Sequence, residues 1–175
     1  MRREIQPPRL LLQASELARP PHGAKQARNT DLRRAVSASY YAVFHSLTAS
    51  AAAHLLPNGS HENRLRLTRS FDHGAVAEVC GWLVGTSSPR SSSPARPIIQ
   101  PLLANTRLTN MADAFLMLQE QRHKADYDHL APFSQTLVLS HISDAKLAIA
   151  NLRQLCGSHD GQAFFVLVAM QKALR

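Results

Sequence analysis

The run LRRAVSASYYAVFHSLTASAAAHLL, Leu32 to Leu56, decides the fold class. Leu32, Val36, Tyr40, Phe44 and Leu47 fall at steps of three or four, the spacing of one face of an α-helix. Ala35, Ala38, Ala42, Ala49 and Ala51 to Ala53 keep its flanks small, which lets neighbouring helices approach closely. Asn29-Thr30-Asp31 supplies a start, with Thr30 as the expected N-cap and Asp31 in the first turn. Pro57-Asn58-Gly59 is the turn that stops it.

The same period recurs outward from this run. Towards the N-terminus, a short helix is expected from Arg9 to Leu17, after Pro7-Pro8 and before Pro20-Pro21-His22-Gly23. On the other side, Ser60 is an N-cap and a long helix is expected from His61 to Leu83, with Leu65, Phe71, Ala75, Val79 and Trp82 on one broad face. The Ser/Pro-rich segment 85–101 reads as a mobile surface loop. A third helix is expected from Thr109 to Lys124, then a kink or loop at Asp126 to Phe133. Ser134 caps a fourth helix, Gln135 to Leu155, with Gly157 as its C′ residue. The last helix, Gln162 to Leu174, is so apolar that it must pack on its own domain or on a second subunit. β-Branched residues are sparse and nowhere alternate. The expected architecture is all-α: an up-and-down bundle of four helices, core about 30–155, extended by helices at both ends of a single domain 1–175.

Composition sets limits on function. The chain has 175 residues, 45% of them apolar, enough for one real core and against global disorder. Two cysteines, Cys80 and Cys156, make neither a disulfide framework nor a four-thiolate zinc site. No zinc, P-loop or dinucleotide spacing appears, so no cofactor or metal is expected. His54 with His61, or His123 with His129, lacks a convincing third ligand. The longest apolar run, Ala163 to Met170, is too short to span a bilayer, and no secretory h-region follows the basic N-terminus. A soluble, cytoplasmic protein is expected.

The net charge of +8 is uneven: residues 1–90 hold 12 Lys/Arg against 6 Asp/Glu, and residues 91–175 hold 8 against 6. Such a surface attracts polyanions, although ordinary solubility charge reads the same way.

Two segments carry the chemistry. One is Arg33-Arg34-Ala35-Val36-Ser37-Ala38-Ser39-Tyr40-Tyr41-Ala42-Val43-Phe44-His45. The other runs from Ala114-Phe115 through Leu118-Gln119 to Arg122-His123-Lys124-Ala125-Asp126-Tyr127-Asp128-His129. In order and spacing over about 30–155 the chain resembles the HEPN superfamily, specifically small prokaryotic members with an RRAxSxxYYAxFH helix and an RxxADYD element. The resemblance implies a four-helix bundle that dimerises. It also implies a metal-independent endoribonuclease site, in which an Arg and a His with four to six residues between them meet at the homodimer interface. Arg122 and His129, with six residues between them, fit that pattern. Arg122 would contact the scissile phosphate and His129 would serve as general acid/base. Asp126 would orient either of them, and Tyr127 would line the site.

RNA cleavage through the 2′-hydroxyl needs that kind of set: a base, an acid and a cation on the phosphorane-like transition state. The family also implies a toxin or defence setting and a partner nucleotidyltransferase acting as antitoxin. Some HEPN toxins are modified by that partner on a tyrosine, which directs attention to Tyr127. The other reading is a non-catalytic module that binds a nucleotide, RNA or the partner nucleotidyltransferase.

Several residues read two ways from the sequence. Arg33 and Arg34 either hold RNA phosphates or stand as solvated first-turn residues. His123 and Lys124 are further RNA-binding candidates, with His123 about 100° around the helix from Arg122. Arg122 and Asp126 are spaced for an i,i+4 ion pair, and Tyr127 for a core ring. Ser37, Tyr40 and Tyr41 are expected to pack or hydrogen-bond within the bundle. His45 and His73 read as satisfied core histidines, and Cys80 as a small buried hydrophobe.

Overall fold

The computed structural model describes residues 6–173, which form eight α-helices. They are α1 (Pro7–Leu17), α2 (Asn29–Leu55), α3 (His61–Ser70), α4 (His73–Val84), α5 (Ala95–Leu102), α6 (Thr106–Tyr127), α7 (Gln135–Leu155) and α8 (His159–Met170). A 3-10 turn, Gln171–Ala173, follows α8, and Leu174 lies outside the described residues. No strand occurs among the described residues, so the all-α class holds.

Helices α2, α6 and α7 pack against one another. Helix α4 lies on α6, and α1 covers the beginning of α2. The α2 stripe Leu32, Val36, Tyr40, Phe44 and Leu47 is buried along its whole length. Met111, Phe115 and Leu118 of α6 meet it in the larger core cluster. A smaller cluster joins Ala14 and Ala18 of α1 and Leu32 and Val36 of α2 to Ala125, Phe133 and Val138. The capping expected at Ser60 and Ser134 is present: each hydroxyl accepts from the backbone N–H three residues on, at 3.2 Å. Gly157 has φ +88°, as the C′ residue after α7 requires.

Four expectations change. The long helix His61 to Leu83 is two helices. Phe71 turns inward to the core in extended conformation, and the Asp72 carboxylate accepts from Ala75 N at 2.6 Å to cap a new helix. The segment 85–101 is not all loop, because α5 begins at Ala95 and buries Ile99 and Leu102 among α4 and α8. Helix α2 starts at Asn29 with Arg28 in the N-cap position, so Thr30 sits inside the first turn and caps nothing. Helix α6 runs on through Asp126 to Tyr127, so the loop expected from Asp126 begins at Asp128. The last helix packs on its own chain: Phe164, Phe165 and Leu167 are wholly buried against α2, α4 and α5.

Among the described residues, no helix is long and apolar enough to cross a membrane.

Candidate functional site

The two segments singled out in the sequence dock on each other. Arg33, in the first turns of α2, reaches the end of α6. Its Nη1 donates to the carbonyl of Ala125 at 2.9 Å and, more loosely, to that of Lys124 at 3.5 Å. Its Nη2 donates to the carbonyls of Asp128 and Ala131, each at 2.8 Å. The guanidinium also lies over the Phe133 ring, 5.3 Å from the centroid. The last carbonyls of an α-helix have no partner within the helix and carry partial negative charge. Arg33 answers both needs and ties the α6–α7 turn to α2. Its donors are turned inward onto these carbonyls.

One turn further along α2, the Ser37 hydroxyl donates to Asp126 Oδ1 at 2.7 Å. The other carboxylate oxygen, Oδ2, pairs with Arg122 Nε at 2.6 Å. The i,i+4 pair read from the sequence is therefore present, and it is partly shielded from water: the two side chains are 26% and 30% exposed. Arg122 Nη2 donates to the Tyr41 hydroxyl at 3.0 Å. The guanidinium sits between two rings, 5.6 Å from the Tyr41 centroid and 5.8 Å from that of Tyr127. Arg122 is thus held by a carboxylate, a phenol and two π faces; its Nη1 belongs to neither polar contact.

Tyr127 is not a core ring. It is 63% exposed, with the His123 ring 5.0 Å away. Lys124 pairs with Glu120 at 2.6 Å on the surface, a contact of small energetic weight. Asp128 accepts from the backbone N–H groups of Leu130 and Ala131, shaping the turn that carries His129. His129 and Arg34 are exposed. An open cleft of about 630 Å³ lies between the start of α2 and the end of α6. Its walls include Arg33, Arg34, Ser37, Asp126, Tyr127 and His129. Arg122 is not among its lining residues, and no hydrogen bond or ring contact links it to His129 within the chain.

Behind Arg122 lies a group that sequence reasoning placed in the core. The Tyr40 hydroxyl is 2.6 Å from Nδ1 of His73, whose ring stacks on Phe44 at 3.8 Å. Gln119 also hydrogen-bonds Tyr40. The Tyr41 ring has His45 stacked at 6.0 Å and His73 edge-on at 6.1 Å. Both histidines are only partly buried. Burial lowers the pKa of each imidazole below its ordinary value. The charge of Arg122 and then His45 lower His73 further, and Asp72 opposes them. Burial likewise pushes the Tyr40 phenol up, so it keeps its proton.

His45 stands four residues after Tyr41, a helical spacing that signals their contact. His73 comes from another helix, and nothing local in the sequence announces its place beside Arg122. Cys80 is fully buried, and burial raises its thiol pKa, as suits an inert core residue. Among the described residues no three His, Cys, Asp or Glu side chains gather as metal ligands would.

Comparison with known proteins found no family model that matches the chain, and no curated protein or solved structure that matches it.

Proposed function

We propose that this chain is a cytoplasmic RNA-binding protein of the HEPN kind, built on a bundle of α2, α4, α6 and α7, with the cleft between α2 and α6 as its RNA contact. What supports the reading is how the two motif segments divide their labour. Ser37, Asp126, Arg122 and Tyr41 bind one another in a chain and Arg33 holds the backbone after α6, leaving Arg34, Tyr127 and His129 exposed around one opening. An exposed ring beside cationic side chains suits single-stranded RNA, whose unstacked bases lie on aromatic faces while phosphates meet positive charge.

The test is binding of a short single-stranded RNA, followed by fluorescence anisotropy. Tyr127→Ala removes a stacking surface and is expected to weaken binding by roughly tenfold, about 1.4 kcal/mol within the range for one base. Arg34→Ala is expected to weaken binding and lower the salt slope by about one. Wild-type affinity in both variants would overturn the proposal.

The second reading is metal-independent RNA cleavage, with Arg122 on the phosphate and His129 as acid/base at a homodimer interface. What supports it is the exposure of His129 on the cleft wall beside Asp126, open to a second copy. Incubation of wild type, Arg122→Ala and His129→Ala with total tRNA in EDTA tests it. Cleavage that vanishes in both variants supports the pair. A toxin role with a nucleotidyltransferase partner is the biological setting this reading carries with it.

A further inference from the structure

We propose that His45, His73 and Arg122, gathered around the Tyr41 ring, form a metal-independent centre for RNA phosphodiester cleavage within a single chain, with His73 as base and His45 as acid. The inference rests on the cleavage reading above and moves its proton transfers from His129 to these two residues.

Three observations carry it. First, the Tyr41 side chain touches all three groups: its ring contacts both imidazoles, and its hydroxyl accepts from Arg122 at 3.0 Å. A phosphate drawn to the Arg122 guanidinium would therefore arrive beside two imidazoles. His129, in contrast, has no contact with Arg122 in the same chain.

Second, the imidazoles are positioned rather than loose. His73 is fixed by Tyr40 at Nδ1 and by the face of Phe44, while His45 lies between Tyr41 and Phe44. The Tyr40 hydroxyl both donates and accepts, so it partners Nδ1 of His73 whichever nitrogen holds the proton. That leaves Nε2 as the working atom. A hydrogen bond on the far nitrogen is how an orienting group sets the tautomer of a catalytic histidine.

Third, none of the three groups is sealed in the core: His45, His73 and Arg122 are each partly exposed.

The step balances without metal or redox partner. His73, through Nε2, takes the proton of a ribose 2′-hydroxyl, and that oxygen forms a bond to the adjacent phosphorus. The bond from phosphorus to O5′ breaks as protonated His45 gives its proton to O5′. The products are a 2′,3′-cyclic phosphate and a 5′-hydroxyl. Arg122 stabilises the charge that builds on the phosphoryl oxygens. DNA, lacking the 2′-hydroxyl, is inert.

The experiment uses the full chain with total tRNA in EDTA, and reads both the cleavage rate and the RNA affinity. His45→Asn and His73→Asn are each expected to slow cleavage about 100-fold or more, the lower range for one acid–base group. RNA affinity should stay within threefold, and the products should end in a cyclic phosphate. Asn at position 73 keeps an acceptor near the Tyr40 hydroxyl, so the fold should survive; circular dichroism and melting temperature check this.

If either variant unfolds, the wild-type pH profile decides instead. The groups facing the two imidazoles are Tyr40, Tyr41 and Phe44 of α2, Arg122 of α6, and Asp72, with each imidazole facing the other. With both pKa values lowered, one neutral and one protonated imidazole coexist most often below about pH 6.5. The rate should peak on that side, and a rate still climbing at pH 8 overturns the proposal. So does a loss under about tenfold in either folded variant. Wild type that binds RNA but never cleaves it sinks this inference and leaves the binding function standing. Wild type that neither binds nor cleaves removes both.

Discussion

Nη1 of Arg33 lies 2.9 Å from the carbonyl oxygen of Ala125, across 92 residues of sequence. This bond and its companions to Asp128 and Ala131 fasten the turn after α6 to the first turns of α2. The side chain resembles a cap contributed from another helix, and its loss takes from the carbonyls of Ala125 and Ala131 the donor it supplies.

Arg33→Ala is therefore expected to destabilise the protein by about 2–3 kcal/mol, the scale of charge-assisted hydrogen bonds. Arg33→Lys should recover only part of this, because an ammonium cannot present two parallel donor arms or lie flat over Phe133. Urea denaturation measures both. Equal stability of the Lys variant and wild type would show that charge alone does the work.

Asp126 is expected to hold back RNA binding while aiding chemistry. Its carboxylate neutralises Arg122 at 2.6 Å and also fixes its direction. Asp126→Asn should tighten RNA binding a few-fold at low salt, with the gain fading as salt rises. In the same variant the cleavage rate at saturating RNA should fall, because Arg122 loses its anchor. Weaker binding in the Asn variant would contradict this account.

His141 of α7 is 5% exposed, and neither of its ring nitrogens has a hydrogen-bond partner. Burial lowers its pKa below the ordinary value, against a smaller opposing pull from Asp144. The folded protein therefore disfavours the proton that the unfolded chain binds near pH 6.5, so this residue removes stability as pH falls through that value. His141→Leu should raise stability by about 1 kcal/mol at pH 8, where an unsatisfied polar ring is replaced by an apolar one. The gain should widen at pH 5. A variant less stable than wild type at both pH values would show that the ring fills its site better than leucine.

Asp72 caps α4 and pairs with Lys172 at 2.8 Å. Its carboxyl pKa is lowered, first by Lys172 and then by the Ala75 N–H. A lowered carboxylate stabilises the fold above its unfolded pKa near 3.9, and the contribution is lost as pH falls through the folded value. Lys172→Met should move the Asp72 titration upward in an NMR experiment. The stability gap between wild type and Asp72→Asn should close below about pH 4. A gap of constant size across that range would assign the effect to something other than charge.

Periodicity carries far where an element buries one continuous stripe. Leu32 to Leu47 on α2, and Met111, Phe115 and Leu118 on α6, were legible because their neighbours in space repeat every three or four residues. The break at Asp72 was not, because Phe71 lies on the apolar face of either a continuous or a broken helix. Only the cap on Ala75 N ends the ambiguity. Helix α5 was hidden by its prolines, since Ile99 and Leu102 gain their burial from α4 and α8 and not from local propensity.

By itself, then, the sequence determined that this protein is helical and where most helices lie, and it singled out two segments rich in polar side chains. Both kinds of information are local: a period along one chain and residue types at short spacing. Tertiary structure decided which of those polar groups face each other. It turned Arg33 inward, set Arg122 against Tyr41 and Asp126, left Tyr127 and His129 at the cleft, and brought His73 from a separate helix to the same ring as His45. Contacts between helices depend on how whole buried faces pack, and no window of sequence contains that sum.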